Sequence, residues 1–374
     1  MKQSRLQILV CLAFSLLPLQ ATITLSPDGY HVYPGDKIQD ALQMAADNKT
    51  NKTVKVHAGE YRPSAKAQAL IWFNKKHDGV RLVAEGPVTL TAANAQLAAP
   101  GDKGYPAVVN HVVYFGDGIS SNTRLKGFRI TGANGFETRK FTRQMEPEVT
   151  ILKNWFFYSD GGAIKVFGRS YPTIQNIEVV DNFTSPCGAG ISVQHQGFNQ
   201  NAVIIENCVF RTNRAQVTGV AIDLLAGSSA KIINCLFVGN VSNTGEDVVA
   251  KQSGERPFMN NGAITIFQNS FAEIHHCTFT GNRNGVDDMG GKSTYSDCIF
   301  VDNNLDAGNK GSPRYELAIN AGGRVTGCFI NGPVHDTNKV ISAESNFLNP
   351  PPPKFNQDYV PEAPEYKSAG YRPK

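Results

Sequence analysis

Ile205-Glu206-Asn207-Cys208-Val209-Phe210-Arg211-Thr212-Asn213 decides how this chain folds, because its frame recurs along the sequence. Ile232, Cys235, Phe237 and Asn240 repeat the pattern Ile-x-x-Cys-x-Phe-x-x-Asn, and Ile274, Cys277, Phe279 and Asn282 repeat it again. Tyr295, Cys298, Phe300 and Asn303 keep the spacing with one substitution. Val325 and Cys328 continue it, with Asn331 two residues early. Earlier copies place other apolar residues at the cysteine position: Leu152, Trp155, Phe157, Asp160, then Ile174, Ile177, Val179, Asn182. A fixed frame with variable spacers marks a solenoid.

The cysteines from 208 to 328 lie 27, 42, 21 and 30 residues apart, which suits coils of three short strands with insertions in some turns. Helical repeats do not fit, since Ile, Val, Phe and Asn are middling or poor helix formers and the apolar residues recur at intervals of two or three. Val203, Ile205, Cys208 and Phe210 all face inward if the chain bends at Glu206-Asn207. The closing Asn of each frame then stacks on its counterpart one coil away, where its buried amide finds backbone partners. The expected fold is all-β: a single-stranded right-handed parallel β-helix solenoid with an N-terminal capping helix and an irregular Pro-rich C-terminal tail.

A second frame precedes each cysteine. Gly162-Ala163-Ile164-Lys165-Val166, Gly190-Ile191-Ser192-Val193, Val220-Ala221-Ile222-Asp223-Leu224 and Gly262-Ala263-Ile264-Thr265-Ile266 alternate as half-buried strands do. Ile and Val would fill the core, and Lys165, Ser192, Asp223 and Thr265 would form an outward row.

Residues 1–21 read as a cleaved export signal, with Lys2 and Arg5 ahead of an apolar stretch from Ile8 to Leu17 and a small-residue site at Leu19-Gln20-Ala21. The stretch is too short and too interrupted for a membrane anchor, so a secreted or periplasmic protein with no membrane span after cleavage is expected. Residues 22–63 then form an N-terminal cap and first strand. Ile38, Ala41, Leu42 and Ala45 make one helical face there, with Asp36 as N-cap. The β-helix spans 64–345, and the tail 346–374, with prolines at Pro350 to Pro353, packs on the solenoid.

Lys plus Arg number 36 against 32 Asp plus Glu, and Lys2 and Arg5 belong to the leader. The near-neutral balance and the lack of a basic run give no argument for nucleic acid. Of the seven cysteines, Cys11 lies in the leader, which leaves Cys187 and the five stacked ones. In-register residues on parallel strands sit ~4.8 Å apart with parallel Cβ vectors, whereas a disulfide needs converging ones. Buried thiols acting as small apolar side chains are therefore expected. No close Cys-x-x-Cys pair suggests zinc, and no metal site is expected from the sequence.

Pro34-Gly35-Asp36-x-Ile38-Gln39, a helix, Val54-x-Val56 and Gly59-x-Tyr61 resemble the opening of pectate-lyase-like right-handed parallel β-helix proteins. The Asn-Cys-x-Phe-x-x-Asn frames look like the coils of that superfamily, common in exported bacterial proteins. Asp358-Tyr359 and Tyr366-x-Ser368-Ala369-Gly370 are similar to its closing segment. The resemblance spans nearly all of the mature chain and implies carbohydrate work, since members include polysaccharide lyases, glycoside hydrolases, tailspikes and adhesins. Signatures of particular activities are missing: there is no Asn-Thr-Asp, Gly-His-Gly or Arg-Ile-Lys set and no Arg-x-Pro-x-x-Arg element. Of paired aspartates only Asp287-Asp288 is present.

Candidate catalytic residues come from the outward row and its turns. A lyase needs a base to remove the proton α to a uronate carboxyl and a cation to stabilise the charge that develops. Lys165 is the candidate base, with Arg169 in the turn after its strand and His195 as acid or base from the next turn. Asp223 and Asp287, two coils apart at ~9–10 Å, would instead suit an inverting hydrolase. Strict alternation would point Asp288 inward, so that segment can also be read as a turn. Each residue has an ordinary alternative: a strand-face Lys or Asp is usually solvated, and a turn His usually bonds backbone. His276 sits at the bend position of Asn207, Asn234 and Asp297 and reads as structural. Ser192 and, in the long insertion between Asn240 and Gly262, Lys251 and Arg256 are candidate contacts to an acidic sugar. Glu246 with Asp247 could hold calcium, although no recognisable calcium loop is present. The expected reading is a monomeric polysaccharide lyase on uronate-containing glycan. An inverting glycoside hydrolase and a non-catalytic glycan-binding or adhesin-like protein stand as alternatives.

Overall fold

The computed structural model describes residues 22–102, 104–135, 160–184, 187–242, 262–305 and 314–374. Parallel strands coil into a right-handed β-helix. One face is a nine-stranded parallel sheet running from Ala67–Phe73 and Val109–Phe115 through Ile164–Phe167, Ile191–Gln194, Ile222–Leu224, Ile264–Ile266, Val286–Asp288 and Leu317–Ile319 to Val334–Asp336. The strands carrying the Ile and Phe positions of the cysteine frame build the other two faces, and Phe210 pairs in register with Phe237, Phe279 with Phe300.

A single left-handed residue separates those two faces in each coil. Asn176, Asn207, Asn234, His276 and Asp297 all have φ between 51° and 55°, a region that Asn and Asp tolerate better than other side chains. The bend expected at Glu206-Asn207 is thus observed, and His276 takes the same backbone role. Cys208, Cys235, Cys277 and Cys298 follow these bends and Cys328 follows Gly327 (φ 65°), all five fully buried and unpaired. Each thiol donates to the carbonyl two residues back, from Cys208 to Glu206 at 3.2 Å through Cys328 to Thr326 at 3.5 Å. Beside them the rings of Phe210, Phe237, Phe279 and Phe300 stack 4.5–5.0 Å apart, the spacing that parallel strands impose.

The Asn ladder closes this core. Asn182, Asn213, Asn240, Asn282 and Asn303 each donate from Nδ2 to the next side chain along the solenoid, at 3.1, 3.0, 2.9 and 2.8 Å for the four amide-to-amide links. The ladder does not continue to Asn331, which instead donates to the carbonyl of Pro350. Its last acceptor is the carboxylate of Glu316.

The helix Ile38–Asp47 buries the expected face, Ile38, Ala41, Leu42 and Ala45, against the first coil. Gln39 clasps the next strand, accepting from Trp72 N–H at 2.8 Å and donating to its carbonyl at 3.0 Å. Asp36 is not the N-cap; Lys37 holds that position. The Asp36 carboxylate is spent on the preceding turn, where it accepts from Tyr33 N–H at 2.8 Å. The tail runs back along the coils: Tyr366 and Ala369 pack on Ile299, Val301 and Phe329, and Arg372 exchanges hydrogen bonds of 2.7 Å with Asn234. Among the described residues no helix is long and apolar enough to cross a membrane.

Candidate functional site

The row expected on the outside exists in register. Tyr114 pairs with Lys165, Lys165 with Ser192, Ser192 with Asp223, Asp223 with Thr265, Thr265 with Asp287 and Asp287 with Ala318. Its exposure is the correction: Lys165, Ser192, Asp223 and Thr265 are 0% accessible and Asp287 1%. The cause lies in the turns ahead of each strand, which fold back over the row. Gly188 (φ +65°) passes so close that a Cβ there would stand 2.8 Å from Ser192 Cβ. At Gly219 (φ +54°) it would stand 2.7 Å from Asp223 Cβ. Glycine permits both the left-handed backbone and the close approach.

Those turns also deliver two side chains that the sequence reading did not place in the site, Asp160 and Cys187. Lys165 Nζ donates to Ser192 Oγ at 3.1 Å, and Ser192 Oγ donates to Asp160 Oδ2 at 2.8 Å. Lys165 Nζ lies 3.7 Å from the same Asp160 oxygen, while Cys187 N–H donates to Asp160 Oδ1 at 3.0 Å. Thr218 Oγ1 donates to Cys187 Sγ at 3.4 Å. Asp223 completes the group, with one oxygen of each aspartate and Cys187 Sγ all within 4.8 Å of one another. Both Asp223 oxygens are buried without a hydrogen-bond partner among the described residues.

Burial dominates the electrostatics. It lowers Lys165 against the opposing pull of Asp160 and Asp223, and it raises Asp160 against the pull of Lys165. Asp223 is pushed well above the usual carboxylate range, first by burial and then by the negative charge of Asp160. Cys187 is raised by burial and by both aspartates. The cluster brings an amine, a hydroxyl, a thiol and two carboxyls together away from bulk solvent, an arrangement that can pass a proton between neighbouring groups or offer donors to a cation.

The remaining candidates separate from this cluster. Asp287 accepts from Asn320 Nδ2 at 3.2 Å through one oxygen, the other has no partner among the described residues, and burial raises it to about 7. Asp288 does point inward, but on a strand and not in a turn; Tyr295 Oη at 2.8 Å and Gly290 N–H at 2.8 Å meet its burial cost. His195 is a buried corner residue whose Nε2 donates to Ser170 O at 2.9 Å and whose Nδ1 accepts from Ser229 N–H at 3.3 Å. Arg169 points into solvent and grips Asp117, with Nε 3.0 Å from Oδ1, so the structure does not bring it to Lys165. Lys251, Arg256, Glu246 and Asp247 lie outside the described residues.

A signal for the missed pair was present. Asp160-Gly161, Cys187-Gly188 and Thr218-Gly219 each stand four residues ahead of a row strand, at Ile164, Ile191 and Ile222. The cysteine frame obscured it by absorbing Asp160 as an Asn-ladder position, whereas Asn182 begins the observed series of side-chain links, accepting from Ala133 N–H.

Residues 111–254 match the family described as "Right handed beta helix region". No curated protein sequence matches the chain significantly. Among solved structures, the chain is similar to an Asp-to-Ala variant of the catalytic domain of a GH87 alpha-1,3-glucanase in complex with tetrasaccharides, at 13% identity and a TM-score of 0.21. That alignment covers 89% of this chain and 70% of the other, and a likeness at this level bears on neither activity nor site.

Proposed function

With a right-handed parallel β-helix as the premise, we propose that this is an exported carbohydrate-active protein that cleaves uronate-containing glycan by β-elimination, with Lys165 as the base. One observation carries the reading: an enclosed lysine amine, bonded through Ser192 to Asp160, on the sheet row of a rigid solenoid. Lyase chemistry asks for a base held away from bulk water and for a route by which its proton leaves. Ser192 and Asp160 supply that route. No sugar reaches Nζ with the row covered, so turnover requires the turns at Gly161 and Gly188 to move aside.

Complete burial of the row favours a second reading, in which the cluster staples neighbouring coils and the protein binds glycan without cleaving it. Incubation with alginate, pectate and glycosaminoglycans, followed by the ultraviolet absorbance of unsaturated uronates, separates the two. The lyase reading expects a rise that Lys165→Ala abolishes. New reducing ends without that absorbance would point to hydrolysis, for which Asp223 and Asp287 are the register-matched pair. Neither signal on any glycan would leave binding alone, measurable by retardation in glycan-containing gels.

A further inference from the structure

We infer that Asp160, Cys187 and Asp223 form a binding site for a single divalent transition-metal ion, zinc by the chemistry of its donors. The inference shares Asp160 with the glycan reading but does not depend on it, and its test uses no glycan.

Three consecutive coils contribute one donor each, and the ligating atoms gather within 4.8 Å of one another. On a tetrahedral zinc, with Zn–S near 2.3 Å and Zn–O near 2.1 Å, donor atoms lie roughly 3.5 Å apart, so the three would draw together by up to about 1.3 Å on binding. A second observation points to a ligand independently of that clustering. Asp223 is wholly buried, and neither of its oxygens has a hydrogen-bond partner among the described residues. Asp160 has Ser192, the Cys187 amide and Lys165 around it. Asp223 feels Lys165 only through space, with no hydrogen bond to either oxygen among the described residues, and a buried carboxylate without a bonded partner is costly. A Cβ at Gly219 would stand 2.2 Å from Asp223 Oδ1, so glycine there leaves the carboxylate the room it occupies.

The donor set selects the ion. Calcium and magnesium take oxygen donors and avoid sulfur, whereas a thiolate with two carboxylates suits zinc and its spectroscopic substitute cobalt. Thr218 Oγ1 donates to Cys187 Sγ at 3.4 Å, a contact that would also stabilise a thiolate. Enclosure of the site implies that metal enters as the chain folds.

The test refolds the chain from residue 22 onward out of chelator, with Zn2+ alone or Co2+ alone. One equivalent of zinc should remain after gel filtration, and the cobalt form should show a thiolate-to-metal charge-transfer band. Asp223→Asn should weaken zinc binding at least tenfold, Cys187→Ser should remove the sulfur band, and Cys235→Ala, in the separate thiol stack, should change neither. Failure of the wild-type chain to retain metal, or a cobalt form without the sulfur band, overturns the site with no variant needed. A sulfur band that survives Cys187→Ser and disappears in Cys235→Ala assigns the metal to the stack and overturns it equally.

Discussion

Asn303 ends the amide ladder on a carboxylate: its N–H donates to Glu316 Oε1 at 3.1 Å and its Nδ2 to Glu316 Oε2. Every earlier link joins two amides. This one joins an amide to a group that titrates.

Burial pushes Glu316 up from 4.5 to about 7, with the Asn303 donors pulling the other way. The folded state therefore holds this proton more tightly than the unfolded chain does. Its contribution to stability is complete below the unfolded value of 4.5 and is lost as pH rises through about 7. Glu316→Gln should flatten that slope. Urea denaturation across the window measures it, and an unchanged slope would assign the effect elsewhere.

Position along the ladder should set the cost of cutting it. Asn240 donates to Phe210 O at 2.9 Å and to Asn282 Oδ1 at 2.9 Å, and it accepts from Asn213. Asn240→Ala leaves several buried groups unpaired and should cost on the order of 3 kcal/mol. Asn331→Ala, off the ladder at the half-buried end, should cost less than about 1 kcal/mol. Equal losses in the two variants would contradict the ladder as a source of stability.

All six described cysteines are free and buried, and burial raises Cys208, Cys277 and Cys298. A thiol reagent should label almost none of them in the native protein and all six after denaturation without reductant. Fewer than six under denaturing conditions would reveal disulfides.

His195 is lowered from 6.5 to about 4 by burial. Because its folded pKa lies below the unfolded one, its contribution to stability is present above 6.5 and is lost as pH falls toward about 4. Its imidazole resonances should stay those of the neutral ring with the proton on Nε2 through mildly acidic pH. Titration near the ordinary histidine value would mean that the corner opens.

The inward register was legible because it depends on local rules: period-two alternation, one left-handed Asn or Asp per bend, and amides that must pair when buried. Cys208 and its counterparts, the Phe stack and the row from Lys165 to Asp287 all follow from them. The cover over the row was not legible, because it depends on where Gly188 and Gly219 send the backbone. Asp36 and Asp288 fail for a related reason. Each is a polar residue whose partner, Tyr33 N–H or Tyr295 Oη, is chosen by tertiary contact. Asp160 and Cys187 meet across coils, a proximity that no single coil encodes.

The left-handed bends have a last consequence for how such a chain can change. They fix one corner of every coil, and differences in coil length fall mainly at another, between the ladder and the row strand. From Asn282 to Val286 takes four residues, from Asn213 to Ile222 nine, and from Asn240 to Ile264 twenty-four. The molecule is therefore a ruler with one writable edge. Segments can be gained or lost along that edge, beside the charged row, while the stacking on the other two sides keeps its phase.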